Sequence, residues 1–136
     1  MPTNLYFTGS ATDTNDLMTK FKDHLVTDCG FSLSSFVTEG TGKRLHVNRG
    51  GMYFNFRSFV SESTPAGGTT QTGIFMNAGT GYSGATAWYN QAGVMTYNSG
   101  TGYLLPGMVQ LTGAIVAYHF FFFEDTNYSV VYLFVE

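Results

Sequence analysis

The stretch from Ala114 to Glu136 constrains this chain more than any other. Two runs rich in β-branched and aromatic residues, Ala114–Phe123 and Tyr128–Val135, flank Glu124, Asp125, Thr126 and Asn127. Such side chains favour an extended backbone, and a polar turn cluster between two of these runs predicts an antiparallel hairpin. Alternation along the first run places Ile115, Ala117, His119, Phe121 and Phe123 on one face. Val116, Tyr118, Phe120 and Phe122 fall on the other, so both faces are largely apolar. A half-solvated antiparallel strand shows polar residues on one side. The hairpin is therefore predicted to be covered on both faces, by other parts of the chain or by a neighbouring subunit.

The rest of the chain reads as one helix followed by strands. Residues 1–12 are an extended lead-in, with an edge strand around Asn4–Thr8. Asp13 or Thr14 can cap a helix, and Asp16 sits in the first turn, where the helix dipole favours an acid. Leu17, Phe21 and Leu25 recur at helical spacing beside Met18, and Gly30 after Cys29 is a natural stop. The prediction is an amphipathic helix over Thr14–Asp28 lying on a sheet. Phe31–Glu39 and Lys43–Arg49 then form a hairpin about Gly40 and Gly42, and Met52–Val60 a further strand with Met52, Phe54 and Phe56 on one face. Ser61–Thr70 is read as a polar loop, Gly73–Ala78 as a short strand and Val94–Tyr97 as another. Glycine-rich irregular segments separate these last elements. Strands without alternating helices indicate an α+β, mainly β class: antiparallel, sandwich-like sheets with one N-terminal helix, in a single domain over 1–136.

Charge placement adds a second constraint. Only 11% of the residues are charged, against 43% hydrophobic, less than half the usual charged share. All the basic residues (Lys20, Lys22, Lys43, Arg44, Arg49 and Arg57) precede position 58, and after Arg57 the acids are Glu62, Glu124, Asp125 and Glu136. A free monomer ordinarily keeps itself soluble with mixed surface charge. This distribution suits a protein packed against others. The net charge of −3 offers no basic field for nucleic acid, and no apolar run reaches membrane-spanning length. A single cysteine, Cys29, excludes an internal disulfide and fits synthesis in a reducing cytoplasm.

Candidate chemistry is sparse. Gly79, Gly81 and Gly84 match the dinucleotide fingerprint, but no acid occurs between Glu62 and Glu124 and no strand–helix context surrounds them, so the match reads as a loop without a cofactor. His24, His46 and His119 lack paired metal-ligand spacing. His24 is placed on the exposed side of the helix or its margin, His119 in the core, and Cys29 is read as a small buried residue. Catalytic, cofactor and metal residues are accordingly none. The best binding candidates are Tyr82, Trp88, Tyr89, Gln91, Tyr97 and Tyr103, in or beside the glycine-rich segments. They could stack on a sugar, contact a neighbouring subunit, or anchor a long loop to the core, the last being favoured for Trp88.

The whole chain resembles a family of small tailed-bacteriophage virion proteins. The resemblance is carried by the capped helix ending in Cys29, Gly30 and Phe31 and by the aromatic strand Met52–Arg57. It continues in the segment from Gly81 to Gly84 through Trp88–Gly93 and in the closing aromatic hairpin, Tyr118–Phe123 and Tyr128–Val135. Phe31 stands where the family pattern leads one to expect tryptophan. None of these motifs is catalytic. The resemblance implies a non-enzymatic structural component of a virion, near the neck, collar or tail, made in the host cytoplasm. Its expected partners are copies of itself and other virion proteins, with no nucleic acid, membrane or small-molecule ligand. A glycan- or receptor-binding module on the virion surface, using the loop aromatics, is the alternative. Charge placement and the doubly apolar hairpin together predict a homo-oligomer, a closed ring by preference.

Overall fold

The structure, a computed structural model, describes residues 3–64, 70–94 and 111–136, and the backbone at 96–97, 102–103 and 107–109. In chain order the elements are β1 (Thr3–Ala11), α1 (Thr14–Asp23) running into a π turn (His24–Asp28), β2 (Ser32–Glu39), β3 (Gly42–Arg49), β4 (Met52–Ser63) and β5 (Thr70–Gly79). A 3-10 turn (Trp88–Asn90), β6 (Thr96–Tyr97), β7 (Gly102–Tyr103), β8 (Gly107–Val109), β9 (Ile115–Glu124) and β10 (Ser129–Val135) follow. One antiparallel sheet has the order β1-β9-β10, a second β2-β3-β4-β5-β8, and β6 pairs with β7 separately. This is the mainly β, α+β, sandwich-like arrangement that the sequence predicts. Two strands run longer than expected: β4 reaches Ser63 and β5 begins at Thr70, each taking in an end of the predicted 61–70 loop. Polar composition did not prevent pairing there: the backbone ladder resumes at Glu62 and Gln71, and the Ser61 amide is met by the Thr72 hydroxyl at 2.9 Å.

The helix is started by a reciprocal cap. Asp13 Oδ1 accepts the Asp16 amide at 2.8 Å, and Asp16 Oδ2 accepts the Thr12 amide at 2.9 Å, satisfying two N-terminal donors. Leu17, Met18, Phe21 and Leu25 are buried. The stripe serves both sheets at once. Phe21 meets Phe56 of the five-stranded sheet edge-on at 5.0 Å and Phe120 of the three-stranded sheet at 5.8 Å. With Leu45, Val47, Ile74, Tyr118 and Phe122 these residues make one continuous core.

A bulge sets the facing of the central strand β9. Gly9 pairs with Tyr118 but Ala11 pairs with Ile115, so Val116 and Ala117 together oppose Ser10. Ile115 and Tyr118, three positions apart, therefore both point inward, while Val116 is 80% exposed. Glycine is required at position 9 because a Cβ there would lie 2.9 Å from the Tyr118 ring. Beyond the bulge Tyr118, Phe120 and Phe122 enter the core, and His119, Phe121 and Phe123 face the other way. The expectation that His119 is a core histidine is thus corrected. It lies on the outer face, where Nδ1 is 2.7 Å from the Tyr6 hydroxyl and Nε2 is 3.0 Å from Glu136. The inward partner is His24 instead, stacked on Phe7 and Phe120 at 4.5 and 5.1 Å and bonded to the Tyr118 hydroxyl at 3.1 Å.

Candidate functional site

Tyr82, Trp88, Tyr89 and Gln91 lie on the outer face of the five-stranded sheet, in the segment after β5. The Thr80 amide donates to Ala92 O at 2.7 Å, closing the segment into a loop. Gly79 permits this approach, since a Cβ there would sit 2.4 Å from the same oxygen. Trp88 is 1% exposed and packs with Phe59, Phe75 and Tyr89 in a second apolar cluster. Gln91 clamps the loop from inside: Nε2 donates to Ser83 O, Thr86 O and Ala87 O at 3.0, 2.8 and 3.3 Å, and Oε1 accepts the Ser83 amide at 2.7 Å. The Tyr82 ring lies 4.6 Å from that of His46. Trp88 and Gln91 therefore present neither face nor edge to a sugar or a neighbour. The backbones of Tyr97 and Tyr103 form the β6–β7 ribbon, and their side chains lie outside the described residues.

Beneath that loop runs a buried polar row across three strands. His46 Nδ1 donates to Asn55 Oδ1 at 2.6 Å, and Asn55 Nδ2 donates to Asn77 Oδ1 at 2.7 Å. Burial pushes the His46 imidazole below its ordinary pKa, against the opposing pull of the Asn55 hydrogen bond. Next to the row, Arg57 is 2% exposed, with its guanidinium over Phe59 and paired with Glu62 at 3.1 Å. Burial raises the Glu62 carboxyl, but the Thr41 donors and Arg57 outweigh it and hold it below the usual range. Cys29 is buried, and desolvation pushes its thiol up to about 11. It stays a protonated packing group. Among the described residues no group of His, Cys, Asp and Glu could hold a metal ion, and no helix is long and apolar enough to cross a membrane.

The outer face of the three-stranded sheet is different in kind. Tyr6 of β1, Phe121 of β9 and Tyr132 and Phe134 of β10 stand side by side on it, 40–55% exposed. Tyr6 stacks on Phe121 at 4.7 Å, Phe121 meets Phe134 edge-on at 6.1 Å, and Phe134 stacks on Tyr132 at 6.0 Å. A shallow groove of about 590 Å³ runs between them. The only ionisable pair alongside is His119 with Glu136, among the described residues of that face. Half-exposed aromatics of about 150–250 Å² each leave roughly 300–500 Å² of aromatic surface here, the size of patch that on monomers is often functional. Of these residues the alternation reading reached only Phe121. Tyr6, Tyr132 and Phe134 carry the same signal: aromatic residues at even positions of two charge-free strands.

Between the sheets lies a cavity of about 840 Å³, walled by Phe21, Phe56, Ile74, Met76, Val131 and Leu133. At its mouth Arg49 pairs with Glu124, donates to Cys29 O and lies over the Phe31 and Phe122 rings. Arg49 thus ties β3 to the end of β9 and to the helix terminus. No protein-family model matches this chain, and no curated protein or solved structure matches it either.

Proposed function

We propose that this protein is a non-enzymatic structural component of a tailed-phage virion, at the neck, collar or tail, that assembles by burying the outer aromatic face of its three-stranded sheet against further copies of itself. The observation that carries the reading is the row Tyr6, Phe121, Tyr132 and Phe134, aromatic, contiguous and uncovered among the described residues. Buried aromatic anchors dominate protein interfaces, and charged residues are depleted at interface centres. The resemblance to small virion proteins supplies the setting, and the charge-poor second half of the chain agrees with a surface in permanent contact.

Light scattering on purified protein over a wide concentration range tests the assembly. The wild type is expected to form a discrete oligomer. Phe121→Lys with Phe134→Lys should stay folded and form a smaller species than the wild type, because both side chains are half exposed within the subunit. A wild type that stays monomeric at the highest concentration refutes self-assembly. Electron microscopy of particles with labelled antibody to the chain tests the virion setting, and absence of label on intact particles refutes it.

A further inference from the structure

The strand β10 has a free edge whose hydrogen-bonding pattern can be read residue by residue. The Glu136 amide donates to Ala117 O, and the Asp125 amide donates to Tyr128 O. Bonding alternates along an antiparallel strand, so the even-numbered residues of β10 bond to β9. Ser129, Val131, Leu133 and Val135 consequently turn their N–H and C=O groups away from β9. Among the described residues no strand pairs with that side. Natural edges are protected by lysine, proline, bulges or a covering element. The opposite edge, β1, pairs across the bulge in β9, and Lys20 reaches its Ser10 carbonyl. Ser129–Val135 has no charge, no proline, no glycine and no bulge.

We infer that β10 pairs antiparallel with β10 of a second copy, about a two-fold axis at Tyr132. This rests on the self-assembly proposed above and names its first contact. In that register Val131 faces Leu133 of the second copy and Ser129 faces Val135, so all the free groups are used, giving roughly eight bonds at two per facing pair. Tyr132 meets its own counterpart, and Val130 meets Phe134, matching aromatic and aliphatic side chains across the seam. Like charges do not meet, because Glu136 falls opposite Tyr128. A second copy is the fitting occupant because an uncharged edge of this length is complementary to itself under a two-fold. The area agrees. One patch of roughly 300–500 Å² is about half of what a standard interface buries per partner, whereas the joined sheet presents a continuous aromatic face of twice that size. Val131 and Leu133, which wall the cavity between the sheets, gain the second copy's Val131 and Leu133 beside them.

Oxidative cross-linking of single-cysteine variants tests the register, with buried Cys29 as a silent background. Tyr132→Cys should yield a disulfide-linked dimer, since non-hydrogen-bonded antiparallel partners lie about 4.5 Å apart between Cα atoms, within disulfide reach. Val130→Cys and Phe134→Cys should cross-link only when mixed. Phe121→Cys should not, because in the joined sheet its counterpart is three strand spacings away, about 14 Å. Val131→Pro should abolish association while leaving the subunit folded, because its N–H makes no bond to β9. If Phe121→Cys cross-links as readily as Tyr132→Cys, or Tyr132→Cys does not while light scattering still shows oligomers, edge pairing is overturned and self-assembly stands. If neither cross-links and scattering shows a monomer throughout, both readings fall.

Discussion

Phe21→Ala is the sharpest test of how the two sheets are joined. The ring is 5% exposed and touches Phe56 on one sheet and Phe120 on the other. Truncating a buried phenylalanine costs about 3–5 kcal/mol, and each well-placed ring pair contributes about 0.5–1.5 kcal/mol beyond its buried area. The space vacated would join the cavity of about 840 Å³ that Phe21 already lines. Neighbours cannot close over a void of that size, which places the cost at the upper end, about 4–5 kcal/mol. Domains of this kind are stable by about 5–15 kcal/mol, so the variant should fold but sit near the threshold. Urea unfolding at one fixed protein concentration is the assay. With a slope of about 2 kcal/mol/M the midpoint should fall by about 2 M at unchanged slope. Phe21→Leu, which keeps most of the volume, should lose only about 1 kcal/mol. A drop of less than about 0.5 M for Phe21→Ala, roughly 1 kcal/mol on that slope, would refute the view that the helix is the joint between the sheets.

Gln91→Ala should free the three carbonyls and one amide that it clamps, costing about 1–3 kcal/mol. Hydrogen exchange should rise over residues 80–94 and stay unchanged in β9, and uniform protection would contradict the clamp. The depressed pKa of His46 makes neutral imidazole the folded form. The unfolded chain then binds the proton more readily, so its contribution to stability is full above about pH 6.5 and is lost as pH falls toward the lower folded value. The urea midpoint of the wild type should therefore fall as pH is lowered from about 8 to about 5, and His46→Asn should remove that part of the fall. Identical pH profiles for the two proteins would show that His46 is not buried neutral.

Local patterning was enough to read the helix and most of the longer strands of this protein. The Asp13 and Asp16 cap, the Leu17–Phe21–Leu25 spacing, the stop at Gly30 and the polar turn between β9 and β10 are all short-range chemistry. Backbone sterics and side-chain periodicity act within a few residues, so their record survives in the linear order. The facing of β9 beyond its start was not open to the same reading. Alternation puts Ile115 and His119 on one side, but the bulge opposite Ser10 re-phases the strand, and that bulge arises from the register with β1, more than a hundred positions away. The sequence favours a core-anchoring role for Trp88, but it does not show that Phe59 and Phe75 receive the ring, nor that the carbonyls of Ser83, Thr86 and Ala87 take up Gln91. The row of Tyr6, Phe121, Tyr132 and Phe134 is assembled from three strands, and only pairing makes it one surface. A sequence records which side chains share a strand face. Which strands lie side by side is set by burial of the whole core, a non-local free energy to which no single stretch of the chain corresponds.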